Sequence, residues 1–112
     1  MPYSFPKNEF NLTDFMDDLM DKMGMQNENA AVKEPLQRAM EQQLASVIME
    51  TAALYIEAEV FEELSIWYAK EKDFTYFVSQ LIRHSPRAQF AILAAIDQFY
   101  DQTLEAFHTL NQ

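Results

Sequence analysis

Leu12-Thr13-Asp14-Phe15-Met16-Asp17-Asp18-Leu19-Met20-Asp21-Lys22-Met23-Gly24 is the stretch from which the fold is read. Leu12, Phe15, Met16, Leu19, Met20 and Met23 recur at steps of three and four, which lays them along one side of an α-helix. Asp14, Asp17, Asp18 and Asp21 fall off that side. Asn11 or Thr13 can accept the free N–H groups at the start, and the early aspartates suit the positive end of the helix dipole. Gly24, the one glycine of the chain, stands where a left-handed residue ends a helix.

Downstream the same periodicity persists. After a polar linker at residues 26–29, Pro35 reads as a first-turn residue, because its missing N–H costs nothing there. Leu36, Met40, Leu44, Val47, Ile48, Thr51, Leu54 and Tyr55 carry a stripe for several turns, and no breaker interrupts residues 36–69. A compact domain requires a bend near residues 56–59, beyond which the stripe becomes Val60, Phe61, Leu64, Trp67 and Tyr68. Asp73 is a suitable N-cap for a short helix with Phe74, Phe77, Val78, Leu81 and Ile82. Ser85-Pro86 then ends one helix and starts another. That helix sets Phe90, Leu93, Ile96, Phe99, Tyr100, Leu104 and Phe107 on one side, with Ala91, Ala94, Ala95 and Ala106 allowing close approach of a neighbour. Trp67 is expected to be buried between the 57–72 segment and this last helix.

Upstream, Pro2 and Pro6 forbid a helix and define an extended arm over residues 1–10. Its aromatic residues Tyr3, Phe5 and Phe10 predict docking in an apolar groove, of the same chain or of a second one. Residues 11–112 then form a single domain. The expected fold is all-α, a compact bundle of about five helices with an extended aromatic N-terminal arm.

Composition narrows the function. The 112 residues suffice for one core without staples. With no cysteine, disulfides, thiolate metal sites and cysteine nucleophiles are excluded. Eighteen acidic against eight basic residues give a net charge of −10, which argues against contact with nucleic acid or an anionic membrane. A single glycine cannot build a phosphate-cradling loop, a dinucleotide fingerprint or a nucleophile elbow. No segment reads as a secretory signal or a membrane span, so the expected compartment is the cytoplasm.

Two candidate sites of chemistry can be weighed. Glu50, Glu57, Glu59, Glu62 and Glu63 are rich in carboxylate, and helical bundles hold paired irons with inward glutamates and two Glu-x-x-His motifs. Glu105–His108 has that spacing, whereas Leu81 precedes His84, so one of the two motifs is present. A solvated acidic face explains the glutamates more simply. His84 and Arg83 suit the negative end of a helix dipole. The seven methionines fit either an irregular core or an adaptable binding groove.

The segment order carries a resemblance. Asp17-Asp18-Leu19-Met20-Asp21-Lys22-Met23-Gly24-Met25 closes an acidic helix; a long helix follows over residues 34–57, then Ala58-Glu59-Val60-Phe61-Glu62-Glu63-Leu64, a short helix over 73–82, and the Pro-initiated helix at Ser85-Pro86. This arrangement resembles an uncharacterised family of small helical bacterial domains found in candidate-phyla genomes. The resemblance spans residues 12–105 in segment lengths. It departs in lacking the family's arginine midway along the long helix, where Val47 or Ile48 stands, and in adding the arm. It implies the fold and supplies no activity.

The reading that follows is a non-catalytic protein-interaction module, an adaptor or accessory subunit, binding a protein partner or a second copy of itself. It uses no cofactor, nucleic acid or membrane. Tyr3, Phe5, Phe10, Phe15, Met16, Met20 and Met23 are the expected contact residues. An alternative is an acidic mimic of nucleic acid that occupies a basic groove on another protein. A second alternative is a small metal-binding bundle using Glu50, Glu59, Glu62, Glu63, Glu105 and His108.

Overall fold

The structure, a computed structural model, describes residues 10–25 and 28–110. They form five helices: α1 (Leu12–Lys22), α2 (Ala30–Tyr55), α3 (Ala58–Glu71), α4 (Phe74–Arg83) and α5 (Pro86–Leu110). Among the described residues there is no strand, so the all-α expectation holds. Of the expected arm over residues 1–10, all but Phe10 lie outside the described residues.

Local chemistry sets most of the ends. The Asn11 side chain accepts from the Asp14 amide at 3.0 Å and opens α1. At its other end Gly24 has φ +74°, Met25 N–H donates to the Met20 carbonyl and Gly24 N–H to that of Asp21. This pair of bonds satisfies carbonyls that the helix leaves free. Asp73 accepts from the Tyr76 amide at 3.0 Å, and Ser85 Oγ from that of Ala88 at 3.1 Å. Lys72 closes α3 in the left-handed region, with φ 59°.

Two boundaries are decided differently. Helix α2 starts at Ala30, five positions before Pro35, because Asn29 caps it by accepting from the Val32 amide at 3.2 Å. Pro35 therefore lies within the helix, where it cannot donate to the Ala31 carbonyl. The expected bend is present at Ile56, whose backbone is extended at φ −120° and ψ 140°. Neither glycine nor proline sits there. Ile56 is buried, so core packing imposes the break that residues 36–69 do not signal.

Helices α2 and α5 form an antiparallel pair, Tyr55 of one lying against Arg87 of the other. The core face of α2 is Met40, Leu44, Ile48 and Ala52, and that of α5 is Ala88, Ile92, Ile96, Phe99 and Tyr100. Helix α4 adds Phe77, Val78 and Leu81, all fully buried. Helix α1 closes the core with Phe15, whose ring lies 5.8 Å from Tyr100 and 6.3 Å from Phe99. Each such fully buried side chain contributes roughly 1.5–3 kcal/mol from area alone.

Four core expectations are corrected. Leu54, Tyr55 and Phe90 were expected on the inward stripes, yet they are 81%, 42% and 78% exposed. Ala52 and Ile92 take the inward places, and two helical positions are about 200° apart, so both members of either pair cannot face one core. Trp67 is half-buried and sits against Tyr76 of α4, ring centres 4.8 Å apart, rather than under α5. Helix α3 has no fully buried residue and rests on the bundle through half-buried Val60, Phe61, Leu64, Trp67 and Tyr68.

Candidate interaction surface

Of the expected contact residues, Tyr3 and Phe5 lie outside the described residues. Phe10 is buried in its own chain, edge-on to Phe74 at 6.2 Å and tilted against Phe15 at 5.8 Å. Of the two expected docking places for this ring, the same chain is the one observed, and there it joins the core. Phe15, Met16, Met20 and Met23 are buried as well. Helix α1 is tied down further by the Leu12 amide donating to Thr75 Oγ1 at 3.1 Å, and by the Tyr100 hydroxyl donating to the Asp18 carboxylate. These side chains complete the core, so a partner must be met elsewhere.

The acidic residues do not converge. Among the described residues no three Asp, Glu or His side chains gather to hold a metal ion. Glu57, Glu59, Glu62 and Glu63 are exposed at the start of α3, while Glu105 and His108 are exposed near the end of α5. His84 is exposed at the C-cap of α4. One carboxylate stands apart: Asp97 on α5, whose Oδ1 is buried without a hydrogen-bond partner. Loss of water holds its carboxyl above the usual range, and the nearby charge of Asp101 adds to that.

The outer face of the α2–α5 pair is the surface that the sequence did not reveal. Two hollows lie along it. One, about 600 Å³, has a floor of Ala91, Ala94 and Ala95, with Leu54, Tyr55 and Phe90 at its sides. The other, about 710 Å³, runs toward the start of α2 between Ala39, Ser46 and Val47 on one helix and Phe99, Thr103 and Ala106 on the other. Gln42, Gln43, Gln98 and Gln102 supply amides. Among the residues lining these two hollows Arg87 alone is charged. In a chain that is 23% charged, two neighbouring hollows with no carboxylate in their lining are a marked depletion. Charge depletion with exposed aromatic and aliphatic groups characterises the centre of protein interfaces.

This face has a physical origin in the sequence. Alanines at 91, 94 and 95 narrow α5, leaving a trough beside the larger Phe90. Leu54 and Phe90 each stand two positions from a buried residue, and that doublet is the signal by which they can be found. A smaller cleft of about 270 Å³ between α2 and the end of α3 is charged instead, with Arg38, Glu41 and Lys72 in its lining. Among the described residues no helix is long and apolar enough to cross a membrane. No family model, curated protein or solved structure matches the chain.

Proposed function

We propose that the protein is a non-catalytic interaction module whose contact surface is the outer face of α2 and α5. The observation that carries this reading is the trough of alanines flanked by exposed Leu54 and Phe90, with no carboxylate in its lining. A partner helix laid along it can approach closely over Ala91, Ala94 and Ala95 and bury both large side chains. Arg87 at one end gives a fixed cation that an acidic group on the partner can meet.

Photo-cross-linking tests this. A benzophenone amino acid is placed at position 90, and in a control at exposed Lys22 on α1. In cells of the native host, a discrete covalent adduct from position 90 and none from position 22 is the expected result. No adduct, or equal labelling from both positions, overturns it.

A second reading is favoured by one observation. Asp14, Asp17 and Asp21 on α1 and Glu59, Glu62, Glu63 and Glu71 on α3 are all exposed. Such carboxylates suit a mimic of nucleic acid that occupies a basic groove. That reading requires binding to a nucleic-acid-handling protein that weakens steeply as salt is raised; binding insensitive to salt excludes it.

A further inference from the structure

We infer that the occupant of the α2–α5 face is a second copy of this chain, the two copies forming a four-helix layer about a two-fold axis that runs along the groove. This inference rests on the preceding reading and names its partner. With the axis parallel to the helices, α2 of one copy lies over α5 of the other, and each end of the face meets the same end of its mate. Leu54 then packs on the partner copy's Phe90, and Phe90 on its Leu54, as an isologous interface requires.

Three properties make the face complementary to itself. First, each copy carries a net charge of −10, so two copies can abut only where carboxylates are sparse. The lining of the two hollows meets that condition, and no residue of acidic α1 or α3 enters it. Second, the polar groups at the far end are Gln42, Gln43, Gln102 and Thr103, which both donate and accept and so can pair with their own kind. Third, the one cation of the lining has a carboxylate to meet. Glu50 is exposed one turn after Ser46 and one turn before Leu54, on the same side of α2, and the two-fold brings an Arg87 over α2 toward it. Glu105 lines an adjoining hollow that shares Gln102 and Ala106 with the second, and there the carboxylate-free stretch ends.

The dimensions are sufficient. The face spans about 30 Å of helix length, at about 1.5 Å per residue, and two helix diameters of about 10 Å in width. That plan area of ~600 Å², corrugated by side chains, approaches the ~800 Å² per partner of a standard specific interface. A parallel alignment of the two antiparallel pairs also places four helices in the shallow-angle packing usual for bundles.

Light scattering on the purified chain tests the proposal. The expected molar mass is about twice the 13.1 kDa of one chain. Leu54→Glu combined with Phe90→Glu should give monomers with unchanged helical circular dichroism, since both side chains are exposed in the single chain. Arg87→Glu should weaken the dimer at least tenfold, and Arg87→Glu with Glu50→Arg should restore it. A benzophenone at position 90 should yield a cross-linked dimer whose attachment lies on α2. A parent that stays at 13.1 kDa at every concentration, or a doubly substituted chain that still dimerises, overturns the second copy as occupant. A monomeric parent that nevertheless gives a specific adduct of another mass from position 90 in cells overturns the dimer and leaves the interaction reading standing.

Discussion

The hydroxyl of Tyr100 on α5 donates a hydrogen bond to the carboxylate of Asp18 on α1, joining residues 82 positions apart. The ring of Tyr100 is buried and touches Phe15, so the hydroxyl fixes the rotation of α1 over the end of the core. A hydrogen bond to a charged acceptor contributes about 1.5–3 kcal/mol, less where the acceptor is half in water. Tyr100→Phe should therefore cost roughly 1–2 kcal/mol in urea melts. Asp18→Asn should cost less, and the double-mutant cycle should show the two changes coupled.

Helix α3 should be the least protected of the helices. It has no fully buried residue, and Trp67 meets Tyr76 while half-exposed. Elements with little buried apolar area open first. Trp67→Ala is expected to cost about 1.5–2.5 kcal/mol, half the figure for a fully buried aromatic. Hydrogen exchange should show α3 amides exchanging before those of α4 and α5, with the gap widening in the variant.

Pro35 offers a test of where α2 begins. Inside a helix it forfeits one hydrogen bond and crowds the carbonyl four residues before it. With the helix starting at Ala30, Pro35→Ala should stabilise the protein by roughly 1–3 kcal/mol. A helix that began at Pro35 itself would gain almost nothing from the change.

Asp97 makes a pH-dependent contribution with a definite sign. Its folded pKa lies above the ordinary carboxylate value because burial disfavours the charge and Asp101 adds repulsion. The penalty is absent below the unfolded pKa, grows as pH rises toward the folded one, and is complete above it. Asp97→Asn should raise Tm at neutral pH by less than about 4 °C, the group being only partly withdrawn from water. The gain should vanish once the pH falls below the usual carboxylate range. A gain that persists there assigns the effect to something other than charge.

The ends of the helices were largely legible in the sequence because single residues decide them. Asn11, Gly24, Asp73 and Ser85-Pro86 each act within three or four positions, and each does in the structure what its chemistry implies. Asn29 had the same chemistry, but Pro35 offered a rival start and the rival was the stronger pattern. What could not be read was which of two apolar residues turns inward. Ala52 and Leu54, or Phe90 and Ile92, present about opposite faces of a helix, and size favours the wrong one in both cases. Where the helices close on the core it is the small residue that lies inside, Ala52 on α2 and Ala88 on α5, both fully buried. The interaction face was missed for that reason, since finding it requires knowing which stripe the core has already taken.

The pairing of α2 with α5 has a consequence for how the chain is made. Helices α4 and α5 are neighbours in sequence and can associate as soon as both have left the ribosome. Helix α2 is synthesised earlier and must wait for a partner that ends at residue 110, some fifty-five residues after its own last residue, Tyr55. At about 5–20 residues per second that is an interval of roughly 3–11 s. During it Met40, Leu44, Ile48 and Ala52 have no α5 to cover them. The nascent chain is therefore most open to chaperones, and most prone to pair wrongly with a neighbouring nascent copy, in the seconds before α5 emerges.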